Sequence, residues 1–413
     1  MDKMLDLYRV LDLSDEKGQF CGKMLADLGA NVIKIEKPGG DVSRRIGPFY
    51  HDDINPEKSL QWFAYNTNKR GITLDIESPQ GKEIFHNLVK KSDFIVETFP
   101  PGYMDALGLG YHDMEIINRG IIFISITPFG QDGPYKNYKA PDIVAWAIGA
   151  HAYQVGESER APLRMSHHSQ SYLHASSQAA VAALLALHHR NNTGQGQHID
   201  VSIQESVLHS TDQQETTGRW NAIRQLRHRG MAWPRTGLKT TSRWKCKDGY
   251  VIFVYWFGLS AHYSTPLVEL MKEENEIDDF LANFDFAKFD WADATQETWD
   301  KLAEPTQKFF AKRTREELYN YALTRRIQLF PIQNPSDILD DPQLASRNYW
   351  VKLDHPELSD SITYPGPFYK SNETMVQIDR RAPLIGEHNW EIYHQELGIT
   401  EKRLLILKQQ GVI

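Results

Sequence analysis

The amino-acid sequence predicts an α/β fold: a large parallel sheet, then a smaller region of strand and amphipathic helices. Three observations carry this. Short apolar runs of strand length alternate with helical stretches from Tyr8 to Thr127, and alternation of that period builds a parallel sheet covered on both faces. Residues 216–247 contain no acid, accumulate basic side chains from Arg219 to Lys247, and are interrupted by Gly, Pro and Trp, which marks a linker. Beyond it Asp248-Gly-Tyr-Val-Ile-Phe-Val-Tyr255 opens a second patterned region. At 413 residues the chain is long enough for more than one domain.

Taken in order, Tyr8 to Leu13 is a short buried strand, Gly18 to Leu28 a helix and Asn31 to Glu36 a second strand. Strand, turn, helix and a strand ending in an acid outline a dinucleotide fold. The turn, Ser14 to Gly22, lacks G-x-G-x-x-G and places Asp15 and Glu16 where a pyrophosphate would sit, which argues against a nicotinamide cofactor. Gly81 to Lys91 reads as a helix, Phe94 to Thr98 as a strand, Pro100-Pro101-Gly102 as the turn after it and Ile121 to Thr127 as a further strand. Ser171 to His189 is rich in Ala and Leu, with Val181, Leu184, Leu185 and Leu187 close to helical spacing, so a long buried helix is expected there. Thr193-Gly-Gln-Gly-Gln197 stops it, His198 to Ile203 alternates like a strand, and Gln204 starts another helix. The polar run Ser166 to His174 at the mouth of the long helix supplies either its caps or the lining of a cleft. Thr314-Arg-Glu-Glu317 matches a capping box.

Hydrophobic content of 41% and charged content of 24% are ordinary for a soluble globular protein. A net charge of −8 argues against nucleic acid or an anionic membrane as partner. Two distant cysteines, Cys21 and Cys246, suggest a reducing compartment without a disulfide framework. No apolar run approaches the ~20 residues of a membrane helix, so a cytoplasmic protein is expected. His167, His168, His174, His188 and His189 lie at the two ends of the long helix. A metal site would want a carboxylate or cysteine beside them, and none is there, so no metal is expected. Acid–base work by a histidine with Ser169 or Ser171 stays open.

Several ordered motifs add to this. Leu25 to Glu36 reads LADLGANVIKIE, and Phe63 to Asp75 contains Asn66-Thr-Asn-Lys-Arg70. Ala186-Leu-His-His-Arg190 precedes Thr193-Gly-Gln-Gly-Gln197, and Asp341 to Arg347 and Arg381 to His388 follow near the end. From about Val10 to the last residue the chain resembles the family III CoA-transferases. The resemblance implies a large Rossmann-like domain built from both chain ends (1–215 and 331–413), a linker (216–247), a smaller α/β domain (248–330) and an interlocked dimer.

It also implies a chemistry. In the family an aspartate attacks an acyl-CoA thioester to give a mixed anhydride, and the freed CoA thiolate then forms an enzyme-bound thioester. Counting back from Thr193, the aspartate's place falls on Tyr172 and a family glycine on Ser176, and no carboxylate lies between Glu159 and Asp200. A phenol, with a pKa of about 10, is a poor substitute, so no catalytic residue is expected in this chain. For a vestigial CoA site the resemblance points to Lys37, Leu74, Phe99 and Lys139, the lysines facing phosphates. Other family positions are altered. Glu77 reverses a base, Ala106 replaces an arginine, and Asp15-Glu16-Lys17 replaces a neutral loop with a substrate-facing glutamine. Gly237 to Thr241 stands where a glycine-rich lid would close.

The resemblance therefore implies a non-catalytic subunit paired with a homologous catalytic subunit that carries the aspartate. The partner would hold the coenzyme A thioester, and no cofactor would be bound covalently. The matching type moves CoA from succinyl-CoA to (R)-2-benzylsuccinate in anaerobic toluene degradation. Two alternatives stand beside it: a self-sufficient CoA-thioester isomerase or lyase using His and Tyr, and a scaffold or binding protein.

Overall fold

The computed structural model describes residues 3–154, 161, 163, 166, 168–210, 239–290 and 293–413. His167, most of the basic stretch 216–247 and the first two residues of the expected lid lie outside the described residues. The chain divides into two compact units. The larger combines Met1–His151, Met165–Thr211 and Gln343–Ile413; the smaller combines Ala152–Arg164 and Asp212–Pro342.

The larger unit is organised on six strands: β1 (Arg9–Asp12), β2 (Asn31–Glu36), β3 (Arg70–Thr73), β4 (Phe94–Glu97), β5 (Ile122–Thr127) and β6 (Gln197–Ser202). All pair in parallel, in the order β3-β2-β1-β4-β5-β6. Every residue of β3, β4 and β5 is buried, as strands covered on both faces must be. One core cluster joins Leu11, Ile33, Ile95 and Phe123 to Phe85 and Leu88 of the helix Pro79–Val89, and to Ile392, Tyr393 and Leu407 near the carboxyl end of the chain. The strand order reverses between β1 and β4, the point at which doubly wound sheets place their ligands, outside the strands' carboxyl ends.

The long helix runs from Gln170 to Thr193, and its buried face is Tyr172, Ala175, Ser176, Ala179, Ala180, Ala183, Ala186 and Leu187. Val181 and Leu185, expected inside, are 56% and 66% exposed. The correction has a packing reason. This helix lies against the helix Gln19–Asp27 and against β5 and β6, and an alanine face lets it approach those layers where branched side chains would overfill the gap.

Its end explains the Thr193–Gln197 motif. Gly194 takes φ 75° and donates its N–H to the Arg190 carbonyl at 2.7 Å, a left-handed cap that suits glycine. A Cβ on Gly196 would stand 1.9 Å from the Ile121 carbonyl oxygen, so no side chain fits where β6 enters the sheet.

The smaller unit has an antiparallel sheet, β7 (Arg243–Cys246), β8 (Gly249–Phe253) and β9 (Leu329–Ile332), in that order. Its own core includes Trp244, Phe253, Tyr255, Phe309 and Phe310. β7 occupies part of the stretch that reads as linker, so sheet structure begins before Asp248. The capping box forms, Thr314 accepting from the Glu317 N–H and Glu317 from the Thr314 N–H. Cys21 and Cys246 are buried free thiols. Among the described residues no helix is long and apolar enough to cross a membrane.

Candidate functional site

A cleft of about 550 Å³ opens where the strand order reverses. Leu13, Asp15 and Lys17 reach it from the turn after β1, and Lys37 from the end of β2. Leu74 and Ile76 come from beyond β3, Thr98 and Phe99 from beyond β4, and Lys136 to Pro141 form a facing loop. Tyr172 joins the lining from the long helix. Lys37, Leu74, Phe99, Lys139 and Tyr172, far apart in sequence, thus share one cavity.

Beneath the cleft the floor is a buried ionic scaffold. Lys69 of the Asn66–Arg70 motif is fully buried and donates to Asp12 Oδ2 (2.8 Å), the Gln19 carbonyl (2.8 Å) and Asn66 Oδ1 (2.9 Å). Burial opposes the Asp12 charge, but Lys69 and Lys34 together hold its carboxyl below the usual range. Burial likewise pushes the Lys69 ammonium down to about 8, against the pull of Asp12. Glu36 accepts from Arg44 Nε at 2.6 Å and Nη2 at 2.8 Å, and from the Asp41 N–H at 2.8 Å. The Arg44 guanidinium lies 3.7 Å from the Trp62 ring centre. The acid that would bind a ribose in a dinucleotide fold is therefore fully engaged.

On the rim the charges are also matched. Lys37 Nζ donates to Glu77 Oε1 at 2.6 Å, and the Tyr103 hydroxyl donates to the same oxygen at 2.6 Å. The carboxylate that reverses one expected phosphate grip thus occupies another. Lys17 pairs with Asp15. Ala106 ends the short helix Tyr103–Ala106 and supplies no charge. The side chains of Lys136 and Lys139 make no ion pair or hydrogen bond among the described residues.

Tyr172 is 5% exposed. Burial pushes its hydroxyl well above the ordinary phenol value, and the Glu16, Asp142 and Asp15 carboxylates push it further. The phenol is therefore held neutral, the reverse of what an activated nucleophile needs. The helix mouth is capped from outside: Asp142 Oδ1 accepts from the Ser171 N–H (3.0 Å) and hydroxyl (2.7 Å), while Ser169 makes no side-chain cap. Ser176 donates to the Lys17 carbonyl at 3.0 Å, tying the altered turn to the helix. Glu16 has its pKa raised by burial and by Asp15. The sequence marks Asp15 and Glu16 as an altered loop but not their closeness to Tyr172, because Glu16 and Asp142 reach it only through the fold.

The histidines do not assemble on the tyrosine. His174 joins an aromatic stack in which Trp146 and His151 lie 4.2 Å apart at 8°, with His174 6.1 Å from Trp146. Burial lowers the pKa of both His151 and His174. His188 and His189 are exposed at the far end. Among the described residues no three His, Cys, Asp or Glu side chains converge as metal ligands would.

A second cavity of about 430 Å³ adjoins the cleft across Pro100, Pro101, Lys136 and Asn137. Glu97, Ser125 and His198 line it from β4, β5 and β6. Ser125 Oγ and His198 Nε2 are 2.9 Å apart. Burial pushes the Glu97 carboxyl up to about 7, against hydrogen bonds from Ser125 and the Phe99 N–H. The available sequence signal was Glu97 and Ser125 inside otherwise apolar strands, with His198 in a strand of alternating character.

Fold and cleft define a doubly wound α/β protein with a ligand site at the reversal of strand order. The model of CoA-transferase family III matches residues 5–389. Succinyl-CoA:(R)-benzylsuccinate CoA-transferase subunit BbsE of Thauera aromatica is 33% identical over 387 residues, covering 93% of this chain and 92% of that protein. Formyl-CoA:oxalate CoA-transferase of Streptomyces avermitilis is 33% identical over 437 residues, covering 100% of both. The crystal structure of a CAIB/BAIF family protein from Brucella suis matches with a TM-score of 0.80 and 26% identity, over 96% of this chain and 100% of that one. The chain belongs to CoA-transferase family III.

Proposed function

We propose that this chain is the non-nucleophilic subunit of a heteromeric CoA-transferase, its active partner being a homologous chain that carries the aspartate. The observation that carries this is Tyr172: a buried phenol lining the cleft, on a helix without a carboxylate. The altered rim supports it, since Glu77 neutralises Lys37 and Ala106 offers no cation. The partner holds the CoA thioester and forms the acyl intermediates, and this chain completes an interlocked assembly around it. The similarity to a benzylsuccinate CoA-transferase subunit favours succinyl-CoA as donor and (R)-2-benzylsuccinate as acceptor, within anaerobic toluene degradation.

Co-expression with an aspartate-bearing homologue tests the assignment. A stable heteromer that transfers CoA from succinyl-CoA, while this chain alone transfers none, is the expected result. Transfer by this chain alone at the rate of the pair would overturn it.

A further inference from the structure

Coenzyme A offers a protein clustered phosphates, and a site for it needs cations that are free to meet them. In this cleft two of the four lining lysines are already answered by carboxylates, as is the arginine below them. Lys17 pairs with Asp15, Lys37 with Glu77, and Arg44 beneath them with Glu36 and Glu57. Lys136 and Lys139, one helical turn's spacing apart on the facing loop, are the cleft-lining cations without an ion pair among the described residues.

Much of the remaining wall is apolar, Asp41, Thr98 and Asn137 being its polar members. Leu74 and Ile76 are buried beneath it, and Phe99 stacks on Tyr103 with ring centres 4.6 Å apart. A volume of about 550 Å³ falls in the range of roughly 300–1,000 Å³ typical of small-molecule pockets. An apolar wall facing two free cations suits a molecule with a hydrophobic body and one anionic end, and suits a polyphosphate poorly.

We propose that the cleft of this chain takes a hydrophobic carboxylic acid in place of coenzyme A. The carboxylate would sit on Lys136 and Lys139 and the body against Leu74, Ile76 and Phe99, while Glu77 turns CoA away by holding Lys37. The inference rests on the subunit assignment above, because an active cleft would have to seat CoA. Glu77 is then a specificity-determining residue, acting on CoA through the lysine it occupies.

Calorimetric titration of the full-length chain with 4-phenylbutyrate and with CoA tests this. One 4-phenylbutyrate per chain is expected, bound more tightly than CoA. Lys136→Gln combined with Lys139→Gln should weaken 4-phenylbutyrate by about tenfold or more, the equivalent of ~1.4 kcal/mol. Glu77→Lys should strengthen CoA by about tenfold and leave 4-phenylbutyrate within about threefold. The milder Glu77→Gln should move CoA in the same direction and guards against misfolding of the charge reversal. Absence of 4-phenylbutyrate binding, tighter binding of CoA by the unaltered chain, or no gain in CoA affinity in either Glu77 variant would overturn the proposal. CoA binding without acyl transfer to this chain would sink this inference and leave the subunit assignment standing. An acyl group on this chain would sink the assignment whatever the cleft holds.

Discussion

On the β1–β2–β3 side of the sheet, buried acids meet cations: Asp12 meets Lys69, and Glu36 meets the Arg44 fork. On the β4–β5–β6 side, Glu97 is as deeply buried but, among the described residues, forms no ion pair and is met by a serine hydroxyl and a backbone N–H. The difference separates two uses of charge. The first side is a fixed scaffold whose paired side chains hold the turn after β1 against the motif Asn66–Arg70. The second side keeps an acid near its midpoint at neutral pH. The exposed Lys37–Glu77 pair is a third case, able to be broken without disturbing either.

Removing a scaffold cation should break this contrast most strongly. Lys69→Met leaves the Asp12 charge buried with Lys34 only at 3.9 Å, and should cost ~3–5 kcal/mol in urea unfolding, as loss of one partner of a buried pair does. Glu97→Gln should act with the opposite sign and only at higher pH. The folded pKa of about 7 stands above the free value of 4.5, so the folded protein keeps a proton that the unfolded chain has released. That contribution is full below about pH 4.5 and is lost as the pH rises through about 7. Glu97→Gln should therefore match the unaltered chain near pH 4.5 and exceed it by ~1–3 kcal/mol at pH 8.

Smaller effects sharpen the comparison. Ser125→Ala removes a hydrogen bond that lowers the Glu97 pKa and should move the pH midpoint of stability upward by about half a unit. Glu77→Gln, on the exposed rim, should change unfolding free energy by less than ~0.5 kcal/mol, as exposed pairs do. Tyr172→Phe should leave the activity of the assembled enzyme within about twofold, since a neutral buried phenol supplies no nucleophile. A loss beyond about tenfold in steady-state turnover would place its hydroxyl in the reaction.

Much of the fold could be read from local chemistry. β2 forms over Asn31–Glu36, as its apolar run foretells, Gly194 takes a left-handed cap that favours glycine, and Gly196 sits where a Cβ would strike the Ile121 carbonyl oxygen. The buried face of the long helix was misread because Val181 and Leu185 carry the hydrophobicity while its alanines carry the fit. Hydrophobic period shows that a face exists, whereas the space between layers decides which face goes inside. At the site, the exchange of a base for Glu77 was visible in sequence, but its bond to Lys37 required β2 and the segment after β3 to lie side by side. The acids around Tyr172 and the Glu97–Ser125–His198 row come from separate strands and turns, so no linear spacing announces them.

Whether this polypeptide ever carries the acyl group decides between a non-nucleophilic subunit and an active transferase. Intact-protein mass spectrometry of the assembled enzyme, acid-quenched after mixing with succinyl-CoA, reads this directly. Both chains are weighed, with hydroxylamine added to one portion. If the subunit assignment is right, this chain keeps an unchanged mass and an aspartate-bearing partner gains an acyl or CoA adduct, released by hydroxylamine. A hydroxylamine-sensitive adduct on this chain would contradict it.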